Sequence, residues 1–501
     1  MNISSRLLLL TLAVLLESST LRAEDNVTVH EWGTFTCLQD ETGKAITGIN
    51  IDDEPVPAFV YDYGGVDVTP QYSKEHGNFG LPPYFHRRSK GWIPGDPEVT
   101  MRLETPVLYF YPPKGMAASV VPPLEVKVDF HGGILSQYYP FAKLTGLPEP
   151  FPGLIHEKGI FNHLVSHLTW KEVQLGSTEK PMATDDKVWT TPREVEATMV
   201  EITAPVYRQV NGEMKIQDEI QAEKFLFYRG VGHLDSPLRL MFGFQGKVGT
   251  PVRLFVTSQA STDDSIYSDG WLVEIRQDGS CAFRTTSKFG GKPLGPMTGI
   301  HPATQFELTG DHSFAAKDFS PDNLRQLKSA MQAALVHEGL YPDEASAMLR
   351  TWELSYFKSP GLRFFYTVPR KWVDQVLPLN ITGAPVEMTR VMVGRIELIS
   401  GAQKAALARL SAGPCPNLAN VKKAAEEALD KGKLSEAQRD AFYRGERPLA
   451  ELGIAIPPLV ADYLGLGRFR DALILHQQEL QPSPALAKFI KDNGLAPLES
   501  R

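Results

Sequence analysis

Ala222-Glu223-Lys224-Phe225-Leu226-Phe227-Tyr228-Arg229-Gly230-Val231-Gly232-His233 is the stretch whose reading decides the fold. Side chains alternate across a β-strand, so Phe225 and Phe227 fall on one face and Leu226 and Tyr228 on the other. Both faces are bulky and apolar, which predicts a strand over 223–231 inside a sheet covered on both sides. Glu223, Lys224 and Arg229 must then lie at its ends or meet partners in the interior, because an unpaired buried charge is costly. Gly230 and Gly232 allow a bulge or a close backbone approach just beyond Arg229.

Two other stretches share this design: Val27-Thr28-Val29-His30-Glu31-Trp32-Gly33-Thr34-Phe35 and Arg102-Leu103-Glu104-Thr105-Pro106-Val107-Leu108-Tyr109-Phe110-Tyr111. Each sets ionisable groups within an apolar β-run. Further strands are expected over 124–130, 134–139, 168–175, 196–203, 238–244, 252–258, 271–276 and 305–308. Turn signals separate them and no amphipathic helix intervenes, which points to antiparallel, sandwich-like sheets. Residues 52–97 are rich in Gly, Pro and aromatics with little periodicity, and read as a long ordered loop that walls a cleft.

The texture changes at Ser320, which is placed to cap a helix with Pro321 at its first position and an apolar stripe of Leu324, Leu327, Met331 and Leu335. A second helix over 342–357 completes a helix hairpin docked on the sheets. Strand character returns over 361–368 and 390–398, where Arg363 and Arg395 sit among apolar neighbours. From about residue 401 the chain reads as helical and polar. The expected organisation is therefore a signal segment over 1–23, a β-rich region over 24–315, the hairpin with its strands over 316–400, and an α-helical C-terminal domain over 401–501.

Arg6, the apolar run 7–16 and Ala23 form an export signal, with the mature chain starting near Glu24. No run approaches the roughly 20 apolar residues needed to span a bilayer, so no membrane helix is expected. Removing residues 1–23 takes away Arg6, Arg22 and Glu17 and leaves 49 basic against 58 acidic side chains, a net charge of −9. No basic stripe stands out, and nucleic acid is not an expected partner. Cys37, Cys281 and Cys415 permit at most one intramolecular disulfide, so size rather than cross-linking must supply the core.

No phosphate loop, dinucleotide glycine fingerprint, Gly-x-Ser-x-Gly elbow or His-Glu-x-x-His pattern occurs, so no nucleotide cofactor is implied. His163 and His167 stand four apart, with His156 and Glu157 upstream, and are the candidates if a metal is bound at all; the expectation is that none is. The remaining constellation is His30, Glu31, Arg102, Glu104, Glu223 and Arg229, with Tyr228 and His233 beside it. Its simplest explanation is a structural network of ion pairs. Its functional explanation is a strand-end cleft in which Arg102, Tyr228, Arg229 and His233 bind a polar or anionic group, Trp32 and Trp92 stack on a sugar ring, and His30, Glu31 or Glu104 handle protons.

The phrases at 30–36 (HEWGTFT), 104–111 (ETPVLYFY), 224–232 (KFLFYRGVG) and 390–395 (RVMVGR) resemble those of a group of exported bacterial proteins with no assigned activity. The resemblance spans about residues 27–400. It implies a bacterial envelope setting, periplasmic or extracellular, and a helical tail that is a variable addition; it brings no cofactor and no catalytic residue. The leading functional expectation is a ligand-binding or envelope-associated module with a small-molecule, glycan or envelope partner. The alternative is a secreted hydrolase acting on a polymer or glycan, with or without a metal.

Overall fold

The computed structural model describes residues 26–51, 55–62, 92, 94–146, 159–210, 213–243, 250–258, 266–290, 304–436, 438–439 and 456–495. The expected signal segment, most of the aromatic loop and the pair His156 and Glu157 lie outside these residues.

In chain order the strands are β1 (Val27–Gln39), β2 (Tyr61–Asp62), β3 (Met101–Leu103), β4 (Val107–Tyr111), β5 (Leu124–His131), β6 (Gly133–Tyr139), β7 (Lys143–Thr145), β8 (Val165–Leu175), β9 (Val200–Val210) and β10 (Glu213–Glu223). They continue with β11 (Leu226–Gly232), β12 (Leu238–Phe242), β13 (Val252–Ser258), β14 (Ile266–Ile275), β15 (Cys281–Gly290), β16 (Thr304–Leu308), β17 (Gly361–Thr367), β18 (Leu379–Thr382) and β19 (Val386–Leu398). Most of them join one large sheet whose main path runs β10-β9-β8-β6-β11-β3-β1-β19-β17-β14-β15, while β12, β13 and β16 form a small separate sheet. The chain is thus mainly β. The sheet is mixed rather than antiparallel, because its central pair, β1 and β19, runs parallel over thirteen register positions.

The alternation in the opening stretch holds. Phe225 and Phe227 join one buried cluster and Leu226 and Tyr228 the other. Burying each such side chain contributes about 1.5–3 kcal/mol. The strand itself divides, however. Glu223 ends β10, its carboxylate accepts the Lys224 backbone N–H at 2.9 Å, and the chain bends before β11 begins at Leu226. The bulge falls where the glycines allowed it, with the β11–β6 register slipping between Arg229 and Gly230. A Cβ on Gly230 would lie 2.1 Å from the Ile134 carbonyl oxygen.

Trp32, Phe225, Phe227, Trp271 and Phe365 present one face of the sheet to two consecutive helices, Asn323–His337 and Pro342–Thr351, which supply Leu327, Met331, Leu335 and Met348 to the same cluster. Ser320 does not cap the first of these helices. It bridges backbone to Cys281 instead, and the helix starts at Asn323. The second helix also stops short of the expected Phe357. It widens into a π-helical turn over Glu353–Lys358, where Arg363 draws away the Tyr356 carbonyl at 2.9 Å. Past β19, Ser400 caps the helix Gly401–Ala412, and the helices from there on contribute Leu407, Leu410, Leu464, Phe469, Leu473 and Leu486 to the cluster that also holds Val29 and Phe35 of β1.

Candidate functional site

β1 has the strand period of two that sorts the charged candidates onto opposite faces: His30, Trp32, Thr34 and Thr36 on one, Val29, Glu31, Phe35 and Cys37 on the other. Glu31 pairs in register with Arg390 of β19. Its carboxylate takes the Arg390 Nε–H at 2.5 Å and the Tyr228 hydroxyl at 2.6 Å, and Arg390 reaches on to Asp374 at 2.8 Å. Glu31 is 1% exposed, so these partners rather than water satisfy it. Burial drives the Tyr228 hydroxyl well above its ordinary pKa, with Glu31 beside it adding to the effect. Burial disfavours the Arg390 charge, but Glu31 and Tyr228 more than offset this and hold the guanidinium protonated.

His30 belongs to a different assembly. Its Nδ1 lies 2.8 Å from the buried Glu344, which also accepts the Tyr111 hydroxyl at 2.7 Å and the Tyr341 backbone N–H at 2.7 Å. The rings of Tyr341 and Tyr111 enclose the imidazole at 4.5 and 5.5 Å. Glu344 was not singled out in the sequence because its role depends on a helix docking 314 residues away from His30. Glu223 forms a third lock, accepting Arg193 Nη2 at 2.6 Å and the Trp189 indole at 2.9 Å.

Arg102 pairs across from Thr36, and Thr36 from Arg395, so the two arginines stand in one row across β3, β1 and β19. Arg102 donates to the Ile49 carbonyl at 3.2 Å, meets Glu104 at 3.4 Å and lies over the Phe469 ring at 5.6 Å. One row further on, Glu397 is flanked by Arg363 at 3.0 Å and by Arg395, whose Nε donates to it at 2.5 Å. Burial would raise the Glu397 pKa, yet Arg363, Arg395 and Arg468 outweigh it and hold the carboxyl below its usual range. Arg363 is pushed down to about 10 by burial, with Arg395 and Arg468 acting in the same direction against Glu397. Arg363 and Arg395 were visible in the sequence as arginines among apolar neighbours; Glu397 and Arg468, which complete the cluster, were not.

Among the described residues the charged candidates do not gather at one point. His30 and Thr36, the neighbour of Arg102, are six residues apart on β1, which at about 3.3 Å per residue separates them by about 20 Å. Glu31 faces away from both. Arg229 sits beyond β3, with its Nε donating to Gln137 at 2.5 Å. Trp32 is fully buried against Trp352, and Trp92 is buried with its indole on Asp96 at 2.7 Å, so neither offers a face to a sugar. His233 is exposed, with Nδ1 2.6 Å from the Glu98 carbonyl. His163 closes a short 3₁₀ turn while His167 lies on β8, so they do not share a helix face; His167 pairs with Asp129 at 2.6 Å. Among the described residues no group of three or more His, Cys, Asp or Glu could hold a metal ion.

A partly exposed aromatic margin lies at the β2–β6–β10 edge; its Tyr61 belongs to the aromatic stretch expected to wall a cleft, while Phe141 and Gln221 were not singled out in the sequence. Tyr61 stacks on Tyr138 at 5.8 Å and meets Phe141 edge-on at 5.6 Å, and its hydroxyl accepts from Gln221 at 2.5 Å. Arg229 and Gln137 lie on the neighbouring strands, since Tyr61 is in register with Tyr138 and Asp62 with Gln137. No protein-family model matches the chain, and no curated protein matches it. No helix among the described residues is long and apolar enough to cross a membrane.

Proposed function

We propose that the chain is an exported, non-catalytic binding module of the bacterial envelope that recognises a glycan through the margin of Tyr61, Phe141 and Gln221. The observation that carries the reading is the pairing of partly exposed aromatic rings, Tyr61 and Phe141, with the Gln221 amide there. Aromatic rings cover the apolar faces of sugar rings, and amides and guanidinia order their hydroxyls. The catalytic alternative draws less support, because Glu31 and Glu104 are buried and engaged by protein groups. A hydrolase would have to use His30 oriented by Glu344, the arrangement nearest to an acid–base dyad, and the rings of Tyr111 and Tyr341 close over it.

Purified peptidoglycan sacculi provide the probe. The protein should co-sediment with them, and Tyr61→Ala or Gln221→Ala should reduce the bound fraction at least tenfold while the folded spectrum is kept. Equal retention of both variants, or no co-sedimentation of the unaltered protein, contradicts the reading. Release of soluble sugar fragments that is abolished by His30→Gln supports the hydrolase instead. The export part stands on a separate observation, the mass of the chain isolated from an envelope fraction, which should begin near Glu24.

A further inference from the structure

The C-terminal helices meet the sheet region along a seam that carries a buried histidine on one side and a largely buried one on the other. On the sheet side, His312 belongs to the turn after β16, in which the Thr309 backbone N–H reaches the Ser313 carbonyl at 2.8 Å. The helix Gly401–Ala412 starts directly against this turn: a Cβ on Gly401 would lie 1.6 Å from the Asp311 carbonyl oxygen, so only glycine lets the two backbones touch. That approach sets Lys404 Nζ 3.1 Å from His312 Nδ1, and the imidazole stacks on the Phe242 ring at 4.1 Å. On the helix side, His476 of Arg470–Leu480 faces the turn after β1, with its Nε2 4.0 Å from Asp40 Oδ2 and thus beyond hydrogen-bond distance. Asp40 is already engaged by its own turn, accepting the backbone N–H groups of Thr42 and Lys44 at 2.8 and 3.0 Å.

Both rings favour the neutral form where they lie. An ammonium has only donors, so Lys404 needs an unprotonated nitrogen on His312, and a proton there would set two cations 3.1 Å apart. Burial pushes the Lys404 amine down to about 8, so the ammonium is the main form below that pH. Two carboxylates oppose this: Asp311, and Glu41, whose Oε1 lies 3.6 Å from His312 Nδ1 but is also paired with Lys404. Around His476, Asp40 and Glu479 favour the charged form and Lys44 the neutral one. Burial outweighs the carboxylates in both cases and holds each imidazole below its ordinary pKa. We propose that this seam is an acid-sensitive latch, in which protonation of His312 and His476 releases the C-terminal helices from the turns after β1 and β16. The undocked chain takes up the two protons more readily, so the latch holds fully above the ordinary His value of about 6.5 and loosens as pH falls through that value and below. The latch does not rest on the glycan reading.

The test uses the full chain. Hydrogen exchange, corrected for the intrinsic effect of pH, is compared at about pH 7.5 and about pH 5.5, on either side of the ordinary His pKa. Amides of Gly401–Ala412 and Arg470–Leu480 should lose protection several-fold at the lower pH, while those of β1 keep theirs. His312→Asn, which tolerates the positive φ of 58° at this position, combined with His476→Gln should abolish that loss. Because the double variant removes packing as well as titration, the imidazole resonances of the unaltered chain supply a second measurement: two should titrate below about 6.5 and be missing from the variant. Helix protection that does not change with pH overturns the proposal, as does an equal acid loss in the variant, or titration of both imidazoles at or above the ordinary value.

Discussion

Gly230 shows how much one position constrains this sheet. Its backbone runs so close to β6 that a methyl group would press into the Ile134 carbonyl, a contact no side-chain rotation relieves. Gly230→Ala is therefore expected to lower unfolding stability by about 3 kcal/mol or more, at the upper end of overpacking effects, read as a drop in the urea midpoint; an unchanged midpoint would show that β11 and β6 are not paired this closely. Glu397 makes a prediction of opposite character, in pH. Its folded pKa lies below the unfolded one, so the stability it contributes is present above the ordinary carboxylate range and is lost as pH falls through that range and below. The thermal midpoint should fall between about pH 5 and about pH 3, near and below the unperturbed Glu value, and Glu397→Gln should flatten that fall. An identical acid response in the variant would place the sensitivity elsewhere.

At the scale of elements, much of the strand pattern was legible because alternation is a local property. β13 spans Val252–Ser258 as read, and β5 differs from its expected span by one residue. β10 was missed because its sequence is polar, and the structure explains why: it is an edge strand that leaves Ile216 and Ile220 exposed at 59% and 55%. The parallel partnership of β1 with β19 could not be read, since no local signal links strands some 360 residues apart. The same reasoning explains the locks. The charged residues at 30, 31, 102, 104, 223 and 229 were legible as unusual in apolar runs, but Arg390, Glu344, Arg193 and Gln137 became their partners only through folding. Hydrogen exchange tests the element hierarchy. Amides of β1, β19 and β17 should exchange last, while the outer half of β9 and β10, which among the described residues pair only with each other from Ile202 onward, should exchange first. Uniform protection across the sheet would contradict this ranking.

Across the whole molecule, the C-terminal helices share a continuous apolar cluster with the sheet, and Arg468 and Phe469 reach the row of arginines at its end. A chain ending at residue 400 would uncover that surface. It should melt at a lower temperature than the full chain and bind a hydrophobic dye, whereas equal stability would show the helices to be a dispensable addition, as the resemblance to exported proteins implies. The central claim concerns the greasy strands and their charges: Glu31 is a sealed structural partner of Arg390 and Tyr228, not a catalytic group. The most direct measurement is urea unfolding of Glu31→Gln. The account predicts a loss of about 3–5 kcal/mol, the cost of stranding a buried guanidinium, with glycan retention per folded molecule unchanged; full stability together with loss of activity on a polysaccharide substrate would contradict it.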